Sequence, residues 1–246
     1  MRSLAGLSAA LLAHSAVVNL APLPRRWYVP VNLTTAGGLV ARARWWDLRP
    51  TDVTGPVERL DDGLRWGLAA SAVVASGLVA TAAVARRSPR LRRLLADRRA
   101  AGMDRRRLAA ETLVRIPLGT VLLEEVAFRG VLLAGVQQVT STATAVHVAS
   151  GVFGLWHVAP TVAALRTNGI EGAARLTVGV TAAVAATTLG GMVLCRLRLR
   201  SGSLVAPVCV HWALNAGALS VAVATMRAPA ASCTPADRRR VRAHGR

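Results

Sequence analysis

The sequence predicts an all-α fold, a polytopic transmembrane helix bundle of about six spans. Hydrophobic residues make up 53% of the chain and charged residues only 17%, a balance skewed toward burial in lipid. The apolar residues arrive in helix-length blocks rather than in alternation, which excludes half-buried strands. The basic residues, all of them arginine, cluster between those blocks, where cytoplasmic loops and headgroups favour them. A length of 246 residues suits one compact bundle rather than two domains.

The first predicted span is about Leu4–Ala21, read as a retained anchor rather than a signal peptide's apolar core, because no small-x-small cleavage site precedes Pro22-Leu-Pro-Arg-Arg. Pro22 to Gly63 reads as a loop, with turn residues and interface anchors in Trp27, Tyr28, Trp45 and Trp46. The second span is about Leu64–Ala85. A basic run from Arg86 to Arg107 follows, with ten arginines against two aspartates. The remaining spans are about Thr112–Gln138, Ala143–Leu165, Leu176–Cys195 and Leu204–Met226, and the tail from Arg227 is basic and expected to be disordered. This divides the chain into a two-span region with its loops (1–110), a membrane core (111–226) and the tail (227–246).

Setting the Arg86–Arg107 run in the cytoplasm places both termini there too, with nineteen arginines inside and nine outside, as the positive-inside tendency asks. Arg196, Arg198 and Arg200 resist, since they fall on the outer side. The formal charge of +19 is accounted for by this topology, so no nucleic-acid partner is expected; the bilayer is the partner. Three cysteines at unpatterned spacing indicate neither a disulfide framework nor a metal knuckle.

Glu124 and Glu125 are the only two of twelve acidic residues well inside an apolar segment. An ionisable side chain at that depth costs about 2.5–3.5 kcal/mol on insertion scales, which marks a functional site. Glu125 and Arg129 are four apart on one helical face, acid first, and are expected to ion-pair. Glu124 is rotated about 100° away, lacks that partner, and is the candidate general base. The alternative is that both acids merely neutralise Arg129 and Arg115. Two later segments add polar groups: His157 in the fourth span, and His211 and Asn215, four apart, in the sixth. At about 1.5 Å per residue, Glu124 lies roughly 18 Å, His157 roughly 12 Å and His211 roughly 10 Å into their spans, so all three sit at mid-membrane depth. His14 and His147, alone in apolar surroundings, read as packing residues.

Glu124-Glu125-Val-Ala-Phe-Arg129, Phe153-Gly-Leu-Trp-His157 and His211-Trp-Ala-Leu-Asn215, with Gly202-Ser-Leu-Val-Ala-Pro ahead of the last, resemble the EExxxR, FxxxH and HxxxN motifs of the CAAX-protease and bacteriocin-processing family of intramembrane endopeptidases. The resemblance covers about residues 111–220. It implies that Glu124 acts with His157 on a water that attacks a peptide carbonyl, that His211 and Asn215 stabilise the oxyanion, and that Glu125 and Arg129 hold the helix. It also implies glutamate-dependent, cofactor-free chemistry, although two histidines and two carboxylates are a possible zinc ligand set. The expected substrate is a membrane-associated peptide or protein. Arginine-only, alanine-rich composition points to a bacterial plasma membrane. Two other readings compete: a non-enzymatic peptide-binding or immunity factor using the same cavity, and a small proton-coupled transporter, against which the lack of internal repeats counts.

Overall fold

A computed structural model describes residues 4–21 and 23–227. The tail with Cys233, and Arg2, lie outside the described residues. Those described form helices and connecting turns, with no strand among them, so the all-α bundle is observed. Four helical runs are long and apolar enough to cross a membrane, 50–87, Thr142–Thr167, Ala173–Ser201 and Val205–Arg227, and a shorter apolar helix, α1, spans Leu4–Leu20. With the charged central helix described next, this is a multi-pass membrane protein of about six spans.

That central helix, α6, is the continuous run 105–137, preceded by α2 (Arg25–Ala41), α3 (Pro50–Thr54), α4 (Leu60–Arg87) and α5 (Pro89–Leu95). It is followed by α7 (Thr142–Trp156), α8 (Val158–Thr167), α9 (Ala173–Ser201) and α10 (Val205–Arg227). Within α6 the hydrogen-bonding widens to π-helix at Glu111–Arg115, Pro117–Val121 and Glu125–Leu132. Pro117 contributes to this, because it has no N–H for the Leu113 carbonyl and breaks the α-helical ladder there.

Helix α2 corrects the predicted loop Pro22–Gly63. Asn32, two threonines and two glycines give that stretch the composition of a loop. They form a helix because it packs along α6 and its polar groups are satisfied there. Asn32 donates to the Gly119 carbonyl, and Tyr28 shares a hydrogen bond with Thr120 at 3.2 Å. The pairing of Arg25 with Glu111 at one end and of Gln138 with the Asp47 carbonyl at the other shows that α2 runs parallel to α6. Leu4 lies against Gly135, so α1 runs antiparallel to both.

This extra helix sets Leu4 at the opposite end from the Arg86–Arg107 run, whereas the sequence had placed the start of the first span on the same side as that run. It also brings Arg25 to the basic end, beside Glu111, which sharpens the charge asymmetry that fixes orientation. At the other end, Arg198 is buried and donates from Nη2 to the Asp52 carbonyl at 3.2 Å. It anchors the loop rather than marking a cytoplasmic side. Beside it, Gly55 (φ 87°) brings the chain against Gly202 and Ser203, and the Leu204 N–H donates to the Thr54 carbonyl at 2.9 Å. No residue with a Cβ fits that approach without strain.

Helices α4 and α10 pack along each other, as do α7 and α9, through small residues that let backbones close up. At Gly154 a Cβ would overlap Thr188 and lie 2.9 Å from the Val184 carbonyl. Gly154→Val should therefore force α7 off α9 and destabilise the protein by about 1–3 kcal/mol or more, measurable as a lowered unfolding midpoint in detergent. A midpoint equal to wild type would show that these helices are not closely apposed.

Candidate active site

Glu124 and Glu125 sit where α6 passes from an α turn into its longest π segment, a local geometry frequent at functional sites. Both carboxylates are buried, as are Arg129 and His211. Glu125 Oε1 accepts from Arg129 Nη1 at 3.1 Å, as the four-residue spacing predicted, and also from His211 Nδ1 at 2.7 Å. The Arg129 guanidinium lies 3.9 Å over the Phe153 ring, a cation–π contact strengthened by burial.

Glu124 is held differently. Its Oε1 accepts from Trp156 Nε1 at 3.0 Å, while its buried Oε2 has no hydrogen-bond partner among the described residues and lies 3.6 Å from His211 Nε2. The expected division of the carboxylates is thus one of partners rather than of direction. A single imidazole from α10 reaches both, because its two nitrogens point to opposite sides of the ring.

The bond geometry assigns hydrogens. A carboxylate anion only accepts, so His211 Nδ1 carries the proton it gives Glu125, and in the neutral ring Nε2 keeps its lone pair. His157 is similar: Nδ1 lies 2.8 Å from the Phe153 carbonyl, which only accepts, leaving the lone pair of the neutral ring on Nε2.

Pro160 explains why the α-helical ladder is interrupted at His157, between α7 and α8. It has no N–H for the carbonyl four residues back, that of Trp156, which instead accepts from Ser15 Oγ at 2.7 Å. Phe153 is the hub of the site. Its ring meets His157 at 4.6 Å, His211 at 6.0 Å and Phe128 at 5.1 Å between centroids, each edge to face.

Of the residues singled out from sequence, Glu124, Glu125, Arg129 and His211 are linked by direct contacts, and His157 and His211 both meet the Phe153 ring. Asn215 is half-buried one turn beyond His211 and makes no side-chain hydrogen bond among the described residues. His147 is exposed and bonded within its own helix at 2.7 Å. Sequence reasoning gave no role to Trp156, Ser15 or Asn32 and read His14 as a packing residue. His14 stacks on the Trp156 ring with 5.9 Å between centroids, and its Nε2 lies 2.8 Å from Asn32 Oδ1. The available signal was Pro160 four residues after Trp156, which frees a carbonyl and calls for an outside donor. Among the described residues no group of three His, Cys, Asp or Glu side chains is arranged to hold a metal ion.

The region that carries the glutamates, both site histidines and Asn215 matches a known family, described as Type II CAAX prenyl endopeptidase Rce1-like, over residues 107–217. Residues 107–217 resemble that family. No curated protein and no solved structure matches the chain. The Rce1-like region supports a CAAX-type intramembrane protease, in keeping with a polar site enclosed at the centre of apolar helices. It does not include α1 and α2, so Ser15, His14 and Asn32 approach the Rce1-like site from outside the match.

Proposed function

We propose that this protein is an intramembrane endopeptidase that hydrolyses a peptide bond of a membrane-associated protein or peptide with water activated by Glu124. The observation that carries the reading is the pair Glu124 Oε2 and His211 Nε2, 3.6 Å apart and buried, with no hydrogen-bond partner for Oε2 among the described residues. With His211 neutral these are two acceptors facing one another, an arrangement that costs free energy unless a donor lies between them. Water has two O–H groups and satisfies both.

In the reaction, Glu124 takes one water proton as the oxygen attacks the carbonyl carbon, and afterwards returns it to the leaving amine nitrogen. His211, oriented by Glu125, holds the same water. His157 Nε2 is a further acceptor at the site. Asn215 supplies an amide N–H to the tetrahedral oxyanion, while His211, whose one N–H goes to Glu125, stays on the water. Arg129 and His211 both bond Glu125 Oε1, and the bond from Nδ1 sets the tautomer of His211. Nothing in this chain's own residues selects a prenyl group, and the reading extends to any membrane-associated peptide able to reach mid-bilayer depth, in a bacterial plasma membrane by composition.

The test is proteolysis by the purified protein in lipid against a pool of membrane-associated peptides, read by mass spectrometry, with Glu124→Ala in parallel and a chelator arm for each. Cleavage by wild type, lost in Glu124→Ala and unchanged by chelator, is the expected result. Identical products from wild type and variant would remove Glu124 from the mechanism, and loss with chelator would turn the same residues into metal ligands.

A further inference from the structure

We infer that Trp156 is a positioning residue for Glu124, and that α1 and α2 supply the brace that holds it. The inference rests on Glu124 being the general base.

A glutamate's terminal torsion is broad, so packing alone does not fix the rotation of the carboxylate plane, whose two oxygens are chemically equivalent. The indole N–H is a donor with no acceptor capacity. By binding Oε1 at 3.0 Å it leaves Oε2 toward His211 Nε2. The Trp156 ring has little freedom of its own. Phe128 meets it edge to face at 5.5 Å and 76°, and His14 stacks on it with the planes 14° apart. Its backbone is tied to α1 by Ser15, which takes the carbonyl freed by Pro160.

His14 is fixed in turn. The Gly119 carbonyl only accepts, so Asn32 turns its NH2 toward Gly119 and its Oδ1 toward His14. That orientation requires the His14 proton on Nε2 and fixes the tautomer. Gly119 lies five residues before Glu124 on α6. The contacts therefore close a ring: Glu124 to Trp156, Trp156 to His14, His14 to Asn32, and Asn32 back to the helix that carries Glu124. Ser15, Asn32 and Trp156 are all buried, so water does not compete for these bonds. A residue that only filled the core would serve equally as phenylalanine; here the one polar atom of the side chain is spent on the carboxylate.

The experiment uses the full-length protein in lipid nanodiscs with 15N-labelled indoles, Trp156→Phe identifying the Trp156 resonance among the six tryptophans. In Glu124→Ala the Trp156 indole proton should move upfield, having lost a charged acceptor, and His14→Leu should shift or broaden the same signal. Against a peptide that wild type cleaves, Trp156→Phe should lower kcat roughly 10- to 100-fold, the range expected of a misplaced catalytic group, with KM within about twofold and the protein still folded, its midpoint lowered by no more than the lost bond of about 1–3 kcal/mol and the smaller ring explain. An indole signal indifferent to Glu124→Ala, or Trp156→Phe with wild-type kcat, would overturn the inference. If wild type cleaves nothing, the general-base reading fails by itself, and the indole signal still decides whether Trp156 holds Glu124.

Discussion

Glu124→Gln is expected to leave a folded protein whose peptide hydrolysis is slower by roughly 10²–10⁴-fold, the usual contribution of a positioned general base. The isosteric amide keeps the fold for a specific reason. Its carbonyl oxygen still accepts from Trp156 Nε1, and its NH2 occupies the place of Oε2, where it can donate to His211 Nε2 across a gap that is 3.6 Å in wild type. The substitution thus replaces one buried acceptor by a donor of the same shape, removing both the base and one of the two acceptors that hold the water. Initial rates and unfolding midpoints measured on the same lipid-reconstituted preparations separate the two effects. A variant that cleaves at the wild-type rate would show that another group activates the water; a variant that is inactive because it unfolds would contradict the packing described here.

The second large effect falls on stability. Arg129→Met should destabilise the protein by about 3–5 kcal/mol, the cost of removing one partner of a buried ion pair. Both side chains are fully buried, Glu125 Oε1 takes its bonds from Arg129 and His211, and Glu125 Oε2 has no partner among the described residues. With the guanidinium gone, a carboxylate is left at membrane depth with one imidazole for company, and Phe153 loses the cation over its ring. The double variant Glu125→Gln/Arg129→Met, which removes both charges, should recover much of the loss. Unfolding titrations of the two single variants and the double variant give the coupling directly. Additive losses would mean that the pair seen in the structure is not an energetic unit.

The helices most legible in the sequence were those whose burial in lipid demands unbroken apolar composition. Spans read at about Leu64–Ala85, Ala143–Leu165 and Leu204–Met226 correspond to α4, to α7 with α8, and to α10 within a few residues. Helix α2 was not legible, because it does not face lipid over its whole length. Asn32 is buried against the Gly119 carbonyl and Arg25 pairs with Glu111, so its polar residues are paid for by α6. A helix stabilised by a neighbour's unsatisfied groups carries no hydropathy signal of its own. Misreading it as loop displaced Arg25 and Leu4 to the wrong ends of the bundle. Arg198 misled for a related reason: its partner, the Asp52 carbonyl, lies 146 residues away, and backbone acceptors leave no trace in composition.

By itself the sequence determined the all-helical membrane fold, since blocks of apolar residues have no other way to satisfy their backbones in lipid. It determined equally the ion pair of Glu125 with Arg129, since four residues along a helix is a local distance. The tertiary structure alone decided which groups meet Glu124. That carboxylate takes its contacts from Trp156 and His211, which lie 32 and 87 residues further along the chain, while α1 and α2 brace the first of them. Such contacts depend on which helices lie side by side and in which direction, and helical periodicity does not encode either.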